Sequence, residues 1–167
     1  TSAQNFATGW AGMPGRTKSA IEAADLAKAL AQSDYAVATA TVMTTLLKTA
    51  GFGATAVATA VSIAVGATVQ AIAIGLIAAG YSVLVTTTAL QVIGATATVA
   101  VSALVAAGVT ASAIAVVLRD VYQLGFLAVA KRLKEALFER SEVFQALSNA
   151  FALTTAESTE VIALLKS

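Results

Sequence analysis

The sequence predicts an all-α protein: a long hydrophobic helical hairpin flanked by amphipathic helices, embedded in a membrane or packed in a helical polymer. Three observations carry this expectation. Residues 49–118 contain no charged residue, and an uncharged apolar run beyond roughly 18 residues reads as a membrane-spanning or fully packed helix. Glycines divide that run near its start, middle and end. Charges return on both sides at helical spacing. Hydrophobic residues make up 58% of the 167-residue chain and charged residues 11%; ordinary soluble domains hold roughly 45–50% and 25%. Length suits a single domain spanning residues 1–167.

Residues 1–16 read as an arm, because Asn5, Gly9, Gly12, Pro14 and Gly15 interrupt any helical period. No basic stretch precedes an apolar core there, so this is not a signal peptide, and a start at Thr1 suggests removal of an upstream segment. Thr17 is the expected N-cap of an amphipathic helix over 17–50, beginning near Lys18 and running on through Tyr35 and Met43 toward Gly51. Lys18, Glu22, Asp25 and Gln32 share one face; Ala23, Leu26, Ala27 and Leu30 share the other. Lys18 and Glu22 stand at the spacing of an i,i+4 ion pair.

The hairpin is expected over 54–107. Gly51-Phe52-Gly53 opens the span, Gly80-Tyr81 turns it and Gly108 closes it, since glycine supplies the left-handed residue that ends a helix. The cuts leave two 26-residue stretches, 54–79 and 82–107, each long enough to cross a bilayer with some tilt. The stretch Val83-Leu84-Val85-Thr86-Thr87-Thr88 is locally strand-like. Helix is the better reading, because alanine is abundant, alternation is not sustained and the only proline is Pro14.

Residues 109–152 are expected to form a helix that becomes amphipathic, with Phe126, Ala130, Leu133, Leu137 and Phe144 as its stripe. Arg119 and Asp120 mark where it leaves the apolar zone; adjacent on a helix, they point about 100° apart and are not expected to pair. A short helix over 154–166 follows, opened by Thr154 and Glu157 at capping-box spacing.

The chain has no His and no Cys. That excludes disulfide frameworks, His- or Cys-based zinc sites and nucleophile–His triads. Glu135 and Glu139 lie four apart, but a di-iron bundle needs histidine partners. Gly51-Phe52-Gly53 lacks the lysine and strand of a phosphate loop. No catalytic, cofactor or metal residues are assigned, bound lipid aside. The remaining candidates concern packing. Rows of small residues at i+4 make Gly66, Ala67, Ala71, Gly75 and Gly94 the expected helix-packing positions. Gln70 and Gln91, the amides of the span, suit a bridge between helices or a wet lumen. Lys131, Arg132, Lys134 and Arg140 are candidates for contact with phosphates or lipid headgroups, although Glu135, Glu139 and Glu142 in the same stretch make a solvated face the better reading.

A charge-free hairpin between amphipathic flanks resembles conjugative pilins, coat proteins of some archaeal filamentous or spindle-shaped viruses, holins and oleosins. Gly80-Tyr81 departs from the proline-rich knot of oleosins. The resemblance is one of composition and layout. Composition and layout together imply a non-enzymatic, self-assembling structural subunit, pilin-like or virus-coat-like, of a helical filament or lipid-containing envelope. Its partners would be copies of itself and lipid, with nucleic acid only in a coat; its place would be a membrane, or an extracellular filament or virion. A membrane pore of holin type is the alternative, and an alanine-rich soluble bundle with a hydrophobic partner is a third.

Overall fold

The computed structural model describes residues 2–33 and 39–167, and among these it holds eleven α-helices and no strand. They are α1 (Ala3–Ala11), α2 (Ala20–Gln32), α3 (Ala40–Thr49), α4 (Ala54–Val65), α5 (Val69–Ala78), α6 (Val83–Val92), α7 (Ala97–Ala106), α8 (Ala111–Asp120), α9 (Phe126–Glu135), α10 (Arg140–Phe151) and α11 (Thr155–Lys166). The all-α expectation holds, and the hairpin is corrected. Its two long helices are four short ones, α4 to α7. No helix among the described residues is long and apolar enough to cross a membrane. A 10-residue helix rises about 15 Å, half of a roughly 30 Å bilayer core.

A repeat sets these lengths. From Thr39 to Thr154, successive N-cap residues lie 14 or 15 positions apart. Ser or Thr side chains at most caps accept the backbone N–H three residues on, as Thr68 does from Ala71 at 3.2 Å. Each stop is a left-handed residue: Gly51, Gly66, Gly80, Gly94 and Gly108, then Gln123, Leu137 and Ala152. After α3, the N–H of Phe52 bonds Leu47 O at 3.1 Å and that of Gly51 bonds Lys48 O at 2.8 Å. This Schellman pairing recurs after α5, α6, α7 and α9. Gly66 and Gly94, expected inside helices, therefore end them.

Each helix packs on the second one after it, so even-numbered helices form one row and odd-numbered helices another. The result is a two-row ladder of the solenoid kind, in which a unit touches only near neighbours. Counting the N-cap as position 0, position 8 carries Leu47, Leu76, Leu90, Leu104, Leu118, Leu133 and Leu147, with Ala27 and Val61 in α2 and α4, all fully buried. Position 4 is buried likewise, from Ala23 through Ile72 and Ile114 to Val143. Spacing of four places both positions on one side of each helix.

Several expected boundaries move. Residues 1–16 are not an arm throughout, because Ser2 caps α1 and Ala7 and Ala11 are buried. The 17–50 helix is two helices; its expected course through Tyr35 lies outside the described residues. Ser19, not Thr17, caps α2, in a capping box with Glu22. Lys18 has φ 61° and turns away from Glu22, which meets Arg16 at 3.9 Å instead. The 109–152 helix is three, α8 to α10. Leu137, expected on the apolar stripe, sits in the left-handed turn after α9 and is 88% exposed. Thr154 and Glu157 form the capping box that their spacing predicts.

The strand-like run is α6. Ser82 caps it, and the hydroxyls of Thr87 and Thr88 fold back onto the carbonyls of Val83 and Leu84 at 2.8 and 3.0 Å. Thr86 occupies position 4, where its neighbours in the ladder carry Ile72 and Ala100, and its buried hydroxyl has no hydrogen-bond partner. Thr86→Val is therefore expected to stabilise the fold by about 1 kcal/mol, because it removes an unsatisfied buried hydroxyl at near-constant shape. A higher urea midpoint at unchanged slope is the result that checks it.

Candidate functional site

Helices stacked side by side leave their last carbonyls at the rim of the ladder, without partners inside the helix. Long polar side chains from the preceding helix of the same row meet them. The Lys48 ammonium on α3 donates to Ala79 O at the end of α5, and the Tyr81 hydroxyl donates back to Phe52 O beyond α3 at 2.6 Å. Gln91 Nε2 on α6 donates to Val121 O beyond α8 at 3.0 Å, and the Tyr122 hydroxyl returns to Ala95 O at 2.8 Å. Arg119 on α8 donates to Ala150 O on α10. Lys134 on α9 donates to Leu164 O on α11 at 3.0 Å. Lys18 bridges Ala11 O and Ala50 O, at 2.6 and 2.8 Å. Lys48, Gln91, Arg119 and Lys134 all stand at position 9 of their helices, where a forward-pointing chain reaches the next C-terminus. Cations there also complement the negative end of the helix dipole.

The polar staples are partly screened from water. Burial raises the Tyr81 phenol from 10.0 to about 12. The folded chain then keeps a proton that the unfolded chain releases between those values, so stability should fall as pH rises across that window. Thermal midpoints measured there should fall less steeply in Tyr81→Phe. Arg119 also holds Asp120, its Nε 2.6 Å from Oδ1. The expectation that these two do not pair is overturned: the guanidinium fork in the last turn of α8 reaches the next residue. That hydrogen bond keeps the Asp120 carboxyl below its usual range.

Sequence-predicted residues fall in different places. Gly75 lies buried on the face of α5 toward α3, where a Cβ would stand 2.8 Å from Thr44 Oγ1. Ala67 is partly buried against the core and Ala71 is half-buried at the start of α5. Gly66 and Gly94 occupy open turns, with no atom within 4 Å of a Cβ at either. Gln91 joins α6 to α8, whereas Gln70 is exposed on α5. Lys131 and Arg132 both face Glu135, at 4.0 and 2.9 Å. Lys134 is a C-terminal staple. Arg140 stands apart from these three, on the last pair of helices.

That pair holds an open groove of about 280 Å³, lined by Arg140, Ser141 and Phe144 of α10 and Ile162, Leu165 and Lys166 of α11. Sequence reasoning missed this groove and the staples. The signal for both was the 14-residue spacing of Gly66, Gly80, Gly94 and Gly108 and of Thr68, Ser82, Thr96 and Thr110. Among the described residues no cluster of His, Cys, Asp or Glu is placed to hold a metal. Comparison with models of protein families, with curated proteins and with solved structures gives no match.

Proposed function

We propose that the chain is a structural, self-assembling subunit, pilin-like or coat-like in the sense that copies of it build a filament or envelope. The carrying observation is the surface of the charge-free span. Ile63, Leu84, Val85, Val92 and Val99 are all exposed there, and residues 49–118 offer no charge to keep that surface wet. Apolar side chains left exposed on a span without charges are open to burial against a partner copy. A repeat ladder suits the role, because its stiffness comes from regular stacking and its flanks present long, uniform faces.

Sedimentation and negative-stain imaging of the purified chain in lipid-free buffer test the proposal. Particles far heavier than 16.7 kDa, regular in images, are the expected result. A stable monomer in that buffer and with anionic or neutral vesicles overturns it.

A further inference from the structure

The last two helices of the ladder lack cover that the same positions have in the middle of it. Position 8 is fully buried in each helix from α2 to α10, yet Ile162 at position 8 of α11 is 41% exposed. Position 5 is buried from Ala7 in α1 to Ala130 in α9, whereas Phe144 at position 5 of α10 is only half-buried. The cause is the stacking rule itself: positions 5 and 8 are covered by the helices that follow. The groove between α10 and α11 is thus the seat of a further helix.

The rim of the groove narrows the occupant. Arg140 and Lys166 flank an almost wholly apolar floor, and among the described residues neither has an ion-pair partner. A matching helix carries an exposed aliphatic residue with a carboxylate one turn away. Within this chain α2 has that pattern. Ile21 is 75% exposed, Asp25 is exposed on the same face, and Asp25 likewise has no ion-pair partner.

Resting on the self-assembly reading above, we propose that the α10–α11 groove of one copy receives α2 of a second copy, with Ile21 on Phe144 and Ile162 and with Asp25 facing Arg140 and Lys166. Such a head-to-tail contact uses two different surfaces and leaves one of each free, so it propagates into an open polymer.

The full chain and five variants are compared by sedimentation velocity, with circular dichroism to confirm folding. Ile162→Glu and Ile21→Glu alter exposed side chains, so each should keep its helicity and lower the association constant by at least about tenfold. Asp25→Lys and the pair Arg140→Glu with Lys166→Glu should each weaken assembly, and their combination should restore it. Restored assembly in the charge-swapped combination is the decisive result. A polymer that persists in both glutamate variants overturns this interface and leaves the self-assembly reading standing. A wild-type monomer overturns both, and a closed dimer overturns the head-to-tail arrangement.

Discussion

Gly75→Leu is expected to destabilise the fold by about 3 kcal/mol, at the upper end of overpacking costs. A Cβ at residue 75 would lie 2.8 Å from Thr44 Oγ1, 3.3 Å from Thr44 Cβ and 3.4 Å from Ala40 O. The hydroxyl cannot swing away freely, because it bonds Ala40 O at 2.7 Å. A leucine must therefore push α5 off α3, and α7 packs on α5 in turn. Gly75→Ala separates clash from bulk. Alone it should lose stability despite the better helix propensity of alanine; with Thr44→Ala, which deletes the nearest atom, it should recover most of the loss. Chemical denaturation of the three variants gives the comparison. A Gly75→Leu chain as stable as the parent would mean that α3 and α5 do not meet at this glycine.

Lys48→Met should cost about 2 kcal/mol, within the range for a hydrogen bond from a charged donor. Methionine keeps the aliphatic stem and removes the ammonium that bonds Ala79 O. It also removes the cation from beside the Tyr81 ring, 4.7 Å away. Lys134→Met should cost less, because its staple holds only α11, the last helix of its row. Unfolding midpoints in the same denaturant rank the two. Equal losses would mean that position 9 acts through general charge and not through the carbonyl it meets.

The staples show why some of this architecture was legible in the residues and some was not. Thr154 with Glu157 could be read directly, because a capping box closes within four residues and needs nothing from elsewhere. Gly80 and Gly108 could be read as stops for the same local reason. Gly66 and Gly94 fit packing positions by their place in rows of small residues, although they are stops of the same kind. Glycine accepts the left-handed turn and the helix interior with similar ease, so its neighbours in sequence do not separate the two uses. Gly75 is the converse. It stays inside α5 because Thr44 and Ala40 of α3 press against it, a fact that lies 31 residues away in the chain. Lys134 read as a solvated cation, because nothing within its own helix points to a carbonyl of α11.

Residue chemistry by itself determined that the described chain is helical, that its last helix opens on the Thr154–Glu157 capping box, and that a long stretch carries no charge. Those properties follow from backbone propensity and from side chains that act within one turn. Only the tertiary structure decided that the apolar span is four short helices in two rows and not two long ones. It also decided that position-9 side chains serve the next helix in the row, and that Phe144 and Ile162 are left uncovered. The physical reason is the same in each case: a helix of about ten residues has little stability alone, so its ends are set by the neighbours that bury its leucine and meet its last carbonyls.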